Sequence, residues 1–471
     1  MINYFPKYFT NKAIGLYMAV LFIITLVYMQ YSMPWYWLVF GIVEVICFFY
    51  FGNVLTKKWA RCLPKAFAKK IFWTSFIITF IYVVITYFLY IYLRGEPFEY
   101  DPSDGTGYHA EAKWFVELFR EGKTAVYWNF FYDSHSFSDT GYQYYLNFLY
   151  VIIDSDIFIT RVLKCIYRAW MCVLVYKLSA RTFGESTGRM AAIFCMLMPN
   201  FSFYACSHRK EMEMVFLTVL FMERADAMIR NKTFNLKSFL VPLLLLGVLF
   251  SFRTVLGIAA VFAFCSTLLL SDKRMISKQR RWVILLWFGL CGLTVGGGAI
   301  MNEVEVLWEN KMTNQTQSME WRAKRKGGNE YSKYATGAIF APAIVILPFP
   351  TMMNIEGQGN QQRLNGGYFI RNFLAFFVLF FLFVVIKQKK WRDFVLIETF
   401  TFSYLIIIAL SAFAQSERFH LPALPFLLIL ASFGVSIYTK KEKKYLNVYS
   451  VLIFFIIVAW TIFKLGGRGL I

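Results

Sequence analysis

Charge is what this chain has least of. Lys, Arg, Asp and Glu make up only 16% of its 471 residues, against about 25% in soluble globular domains. The negative sign is the scarcer one: 28 Asp and Glu stand against 49 Lys and Arg, a net charge of +21. The eight cysteines (47, 62, 165, 172, 195, 206, 265, 291) form no C-x-x-C pair and no ligand spacing. They imply neither a disulfide framework nor a metal site, and most lie in or beside apolar segments, where a thiol packs as a small hydrophobe. No Walker loop, H-E-x-x-H, G-x-S-x-G or nucleotide fingerprint is present, so ATP-driven chemistry has no support.

What the chain has in excess is apolar surface. It is 58% hydrophobic and 20% aromatic, with a mean hydropathy of +0.51, the composition of an integral membrane protein. Lys and Arg occur in short clusters between apolar runs, as in cytoplasmic loops. The positive charge therefore points to membrane topology and not to nucleic acid. A membrane helix needs about 17–25 mainly apolar residues. Candidate spans fall at 13–30, 35–52, 71–93, 157–178, 188–205, 211–228, 238–252, 254–271, 282–300, 368–387, 394–413, 421–438 and 445–463. The expected fold is thus all-α, with about thirteen transmembrane helices. Lys7 and Lys12 precede the first run and no small-residue cleavage pattern follows it, so it reads as a retained helix and not a removed signal peptide.

With the N-terminus inside, five basic clusters (57–70, 230–237, 272–281, 387–392 and 440–444) share the cytoplasmic side. This requires that 337–350, with Pro342, Pro348 and Pro350, does not cross but lies interfacial or re-entrant. The chain then divides into an N-terminal helix pair with its basic loop (1–70), a membrane core (71–300) containing a large outer loop (94–156), a second outer loop (301–367), and C-terminal helices (368–471). All four histidines, His109, His135, His208 and His420, fall on the outer side.

The candidate chemistry is on that side too. Eleven of the acidic residues lie in the 63 residues 94–156, among aromatic, amphipathic segments that suit the membrane interface. "SDGTGYHAEAKWF" (103–115) places Asp104, Tyr108 and Glu111 on one helix face, with Asp101 and His109 beside them. Such a face offers a carboxylate to a polar substrate, or is a solvated acidic loop. In "PNFSFYACSHRKEMEMVFL" (199–217), His208 precedes Arg209, Lys210, Glu211 and Glu213 at the start of an apolar helix. Charges at that depth are paired or functional, or snorkel to water. Arg253 interrupts an apolar run near an outer turn, and Glu417, Arg418 and His420 stand at the mouth of a proline-started helix. With the acidic stretch these are four motifs on one face, and the three cationic ones suit an anionic headgroup, since Arg grips phosphate by two parallel hydrogen bonds.

In this order the motifs resemble the GT-C superfamily of polytopic membrane glycosyltransferases, which use polyprenyl-phosphate sugar donors. "SDGTGYHAEA" is similar to the SDxxxYHxxA pattern of bacterial members that handle capsule or O-polysaccharide. "RKE" after "MPN", "FRTVLG", "ILPFP" and "ERFHLPALP" look like that group's later landmarks, and the resemblance covers roughly residues 71–438. It implies a catalytic Asp in the first outer loop, for which Asp104 is the candidate base, with His109 nearby. The second acid stays open between Asp101, Glu111 and Asp139. Tyr108, His208, Arg209, Lys210, Glu211, Arg253, Arg418 and His420 are the candidates for holding the donor. The implied partners are the lipid bilayer, a polyprenyl-phosphate-linked sugar donor and a glycan or lipid acceptor. The implied location is a bacterial inner (cytoplasmic) membrane, with the site facing the periplasm or exterior. No cofactor is indicated, and a divalent metal stays open. Two rivals remain: a polymerase of lipid-linked repeat units, and a flippase of lipid-linked oligosaccharide. A flippase needs polar residues along a path through the bilayer centre and usually carries internal repeats. No repeat is evident, and the helix middles read as largely apolar apart from Glu44.

Overall fold

The long apolar runs become helices, several of which start at proline or stop at glycine, as Pro64–Arg94 does at both ends. The computed structural model describes residues 2–99, 102–134, 137–230, 236–271, 282, 285–286, 317, 319–321, 323–324, 328–334, 337–411 and 413–471. Among these residues the regular structure is helical, and one isolated bridge joins Ser32 to Met353. The order is α1 (Lys7–Val27), α2 (Trp35–Lys58), α3 (Pro64–Arg94), α4 (Ser103–Arg120), α5 (Thr124–Ser134), α6 (Phe137–Ile153), α7 (Ile157–Phe183), α8 (Glu185–Leu197), α9 (Pro199–Cys206), α10 (Glu211–Arg230), α11 (Leu236–Phe252) and α12 (Thr254–Leu270). Later helices are Gly337–Ala343, Gly359–Arg363, Asn365–Lys387, Val395–Ala409, Glu417–His420, Leu424–Ile437 and Lys443–Gly466.

Among the described residues six helical segments are long and apolar enough to cross a membrane: Lys7–Val27, Trp35–Lys58, Pro64–Arg94, Asn365–Lys387, Glu417–Ile437 and Lys440–Gly466. Three more, Leu240–Phe252, Thr254–Leu270 and Val395–Ala409, are apolar but shorter. The expected spans 157–178, 188–205 and 211–228 coincide with α7, α8–α9 and α10, while 282–300 lies almost wholly outside the described residues. In 188–205 the helix breaks between Leu197 and Pro199, because Pro199 lacks the N–H that would continue it. Gly337–Ala343 has 7 residues, about 10 Å of helix against a hydrocarbon core of about 30 Å.

The expectation that Glu44 is the main exception to apolar helix middles needs correcting. On α7, Arg161, Lys164 and Arg168 are all fully buried. Their spacing puts them on one face of the helix, turned inward and away from lipid. Arg168 donates to Thr79 Oγ1 at 2.6 Å and to the carbonyls of Met196 and Met198 at 2.8 and 3.3 Å. It thereby satisfies the open carbonyls that the α8–α9 break leaves behind. Arg189 does the same past the end of α2, donating to Trp59, Ala60 and Cys62 carbonyls at 2.8, 2.8 and 2.6 Å.

The N-terminal pair is joined to the Asn365–Lys387 helix through polar contacts. Tyr17 donates to Asn365 Oδ1 at 2.5 Å, and the Gly367 N–H donates to Glu44 Oε2 at 3.1 Å. Gly366 makes this approach possible: a Cβ there would lie 2.6 Å from Glu44 Oε2 and 2.8 Å from the Gly41 carbonyl. At one end of the bundle, Arg181 pairs with Glu223 and Asp226 at 2.9 and 2.6 Å, and Phe183 stacks on Phe394 at 4.5 Å. Helices α4–α6 gather at the opposite end, beside the 207–210 turn and the α11–α12 junction.

Candidate functional site

Helix α4 carries Asp104 in its first turn, where the unpaired N–H groups favour a carboxylate. The next residue, Gly105, allows the helix start to rest on the 207–210 turn: a Cβ there would lie 3.1 Å from the His208 carbonyl. Asp104 Oδ2 is in short hydrogen-bonded contact with Arg418 Nη1, and the two side chains are 38% and 27% exposed. Residues 314 positions apart in the chain thus meet at a partly open site. Arg418 Nε also lies 3.7 Å from Glu211 Oε1, which is itself buried. Burial alone raises the Asp104 carboxyl, but Arg418, by charge and hydrogen bond, with Arg209 and Lys210 behind it, holds it below its ordinary value. Asp104 is therefore a carboxylate.

Arg253, the residue preceding α12, lies 4.4 Å over the ring of Phe419, and Arg418 lies 5.0 Å from the same ring. Phe413 stacks on Phe419 at 4.2 Å. One aromatic ring therefore carries two guanidinium groups, an arrangement held by cation–π attraction in spite of like charge. Arg253 Nη1 is buried without a hydrogen-bond partner among the described residues. Lys210 Nζ reaches the Phe252 carbonyl at 3.3 Å, one residue from Arg253. Arg209 pairs with Glu99, Nε to Oε1 at 3.0 Å. These contacts bring Asp104, Arg209, Lys210, Glu211, Arg253 and Arg418 into one region.

The other candidates separate from it. Tyr108 packs edge-on against Tyr142 at 5.0 Å. Glu111 accepts from Tyr127 at 3.0 Å, and Asn147 donates to that same hydroxyl at 2.8 Å, so this acid belongs to the interior of the α4–α6 unit. His109 Nδ1 lies 2.7 Å from the Tyr150 hydroxyl, which lies 3.0 Å from His208 Nε2. Burial, then Lys113, lowers His109, which favours its neutral form. His420 is fully buried, with Nε2 at 2.7 Å from the Ala414 carbonyl and Nδ1 at 2.9 Å from Arg371 Nη2. Nε2 must donate to the carbonyl, so Nδ1 accepts from Arg371. His420 is thus a buried link between protein groups, set apart from the partly exposed pair Asp104–Arg418. Asp101 lies outside the described residues, as does the side chain of Asp139.

Sequence reasoning missed Glu99, Lys164, Tyr150 and Arg371. Lys164 was detectable: an ionisable residue in a membrane helix, spaced with Arg161 and Arg168, is paired or functional by default. Glu99 carried no such signal, being one acid among many in its loop. Among the described residues no three or more His, Cys, Asp or Glu side chains gather as a metal site. No family model matches the chain, and neither a curated protein nor a solved structure matches it.

Proposed function

We propose that this protein is a membrane glycosyltransferase of the GT-C kind. It moves a sugar from a polyprenyl-phosphate or diphosphate donor to a glycan or lipid acceptor, in surface-polysaccharide synthesis at a bacterial inner membrane. One observation carries the reading: a partly exposed carboxylate, Asp104, touches Arg418, whose partner ring Phe419 also holds Arg253. A base and an anion-binding pair share one site at the end of an apolar bundle. In the reaction the acceptor oxygen bonds to the sugar's anomeric carbon, the bond from that carbon to the phosphate oxygen breaks, and the phosphate keeps the electron pair. Asp104 takes the acceptor's proton. Arg253, Arg418 and Lys210 stabilise the charge on the departing phosphate. A phosphate oxygen competes with Asp104 for Arg418, so donor binding frees the carboxylate to accept a proton.

Arg253→Gln and Arg418→Gln should each weaken binding of bare polyprenyl phosphate about ten- to a hundredfold, the loss of one charge-assisted bond. Parent-like binding in both variants would remove this cluster as the phosphate site.

The reading includes thirteen spans with the N-terminus inside. In a cysteine-free background, Glu121→Cys should then react with a membrane-impermeant thiol reagent added to intact cells, and Lys441→Cys should not. Both positions are exposed, so reversed labelling would invert the topology. One observation favours the transporter reading: the α8–α9 break, since transporters bind substrate at discontinuous helices. Here the exposed carbonyls are taken up by Arg168, which suits a fixed joint better than a transport site. Movement of lipid-linked oligosaccharide across proteoliposomes, without transfer, would support transport instead.

A further inference from the structure

Glu213 lies two residues beyond Glu211 on α10 and points to a different neighbourhood. It is only 4% exposed, and Lys164 Nζ stands 3.4 Å from its Oε2. Lys164 is already engaged elsewhere, donating to the carbonyls of Ser207, at 3.0 Å, and Arg209. It balances the Glu213 charge and, with the Glu213 backbone N–H, is close enough to donate to it, but neither carboxylate oxygen is met with full hydrogen-bond geometry among the described residues. A buried carboxylate whose lone pairs are only partly satisfied has room for a further donor from outside the protein.

The groups around it are tyrosines from two other helices. Glu213 is within electrostatic reach of Tyr142, Tyr145 and Tyr167. The Tyr145 and Tyr167 hydroxyls are 3.2 Å apart and share one hydrogen bond, so one O–H proton of the pair stays unspent. Lys164 also reaches the Tyr142 hydroxyl at 3.4 Å. Tyr145, Tyr167 and Phe216 are half-buried, and Tyr167 stacks on Phe216 at 5.3 Å and 20°. Tyr108, on the same helix as Asp104, closes the arrangement through its contact with Tyr142. A carboxylate with lone pairs to spare, hydroxyls able to give and take, and flat apolar rings are together the complement of a sugar. Vicinal hydroxyls donate to the carboxylate while the C–H face of the ring lies on aromatic carbon.

We propose that Glu213, with the Tyr145–Tyr167 hydroxyl pair, forms a carbohydrate subsite joined to the Asp104 helix through Tyr142 and Tyr108, and positioned by Lys164. This rests on the transfer reading of the site. The shared chemistry is a polyhydroxyl group, supplied either by the donor's sugar or by the acceptor glycan.

The test uses the full-length protein in lipid nanodiscs. The donor arm measures binding of undecaprenyl phosphate, bare and carrying glucose, galactose, mannose or N-acetylglucosamine. The acceptor arm measures binding of the free methyl glycosides of the same sugars. The parent should bind at least one sugar-bearing donor more tightly than bare lipid, or at least one free glycoside measurably. Glu213→Gln should weaken that sugar-dependent binding about tenfold or more, one charge-assisted bond, and leave bare undecaprenyl phosphate unchanged. Tyr145→Phe and Tyr167→Phe remove a hydroxyl and keep the packing, so they give the same readout if Glu213→Gln does not fold. The arm that responds identifies the sugar's source. No sugar-dependent binding in either arm, or sugar binding unchanged in all three variants, would overturn the subsite. Failure of bare undecaprenyl phosphate to bind the parent would instead count against the transfer reading, and the free-glycoside arm would still decide the subsite.

Discussion

Asp104→Asn is expected to abolish sugar transfer, with turnover falling by roughly 10²–10⁴-fold, the usual contribution of a general base. The amide keeps the size of the carboxylate and an oxygen that can accept from Arg418, so binding of bare polyprenyl phosphate should persist. The same carboxyl sets the acid side of the pH–rate profile. Burial raises it, but the Arg418 charge and hydrogen bond, then Arg209 and Lys210, bring it below its ordinary value. The ionised form is the active one, so the acid limb should lie below the ordinary Asp value of about 3.9. In Arg418→Gln the burial remains and the largest opposing charge is gone, so that limb should move to higher pH. The sign for stability is the same: the contribution of the Asp104–Arg418 pair is present above the unfolded value and is lost as pH falls through the lowered one. The pH dependence of kcat/KM, which reports the free protein in which Arg418 still faces Asp104, checks both. Wild-type turnover in Asp104→Asn would remove this carboxylate from the chemistry.

Arg371→Met should be the most destabilising of the substitutions considered, at about 3–5 kcal/mol, the cost of breaking a buried ion pair from one side. Arg371 and Glu417 are both buried, with Nη1 and Oε2 3.5 Å apart, and Asn200 donates to the other Glu417 oxygen at 2.8 Å. Removing the guanidinium leaves the buried Glu417 carboxyl without its cation, so that it must either stay charged and unpaired or take up a proton, and it takes the donor from His420 Nδ1. The double variant Arg371→Met/Glu417→Gln should recover much of the loss, because no uncompensated charge then remains. Thermal unfolding in detergent, followed for the parent, the single and the double variant, checks this. A single variant as stable as the parent would show that the pair contributes nothing.

How much of this was legible in the sequence differed by the kind of signal. Apolar length and basic clusters located the helices, because a bilayer demands that backbone groups be satisfied within the segment. The pattern around Asp104 placed that acid on a helix, which the structure has as α4, since spacing along one helix is visible in one dimension. What meets Asp104 was only half legible. The cations were suggested by position, but which of them would pair with it depends on how distant segments fold together. Arg209, expected at the site, faces Glu99, while Arg418 takes the place beside Asp104. Glu111 shared the helical face with Asp104 in the pattern, yet two turns are enough to carry it to Tyr127 and another neighbourhood. The buried cations of α7 were present in the sequence and underweighted. Their role as caps for broken helix ends exists only once the break at Pro199 is seen in space.

The seam between the first two helices and the Asn365–Lys387 helix bears on how the protein can be cut. Residues 1–70 read as an added pair, and a shortened version beginning near residue 70 would keep every residue of the proposed site. But Asn365 and the Gly367 N–H on the far side of that seam find their partners in Tyr17 and Glu44. Trimming the pair would turn these groups toward hydrocarbon, where an amide without a partner costs several kcal/mol. The backbone next to Gly366 would also lose the surface it was shaped to meet. A fragment starting at residue 70 would therefore carry its own defect into the membrane, and its loss of activity would say nothing about where the chemistry takes place.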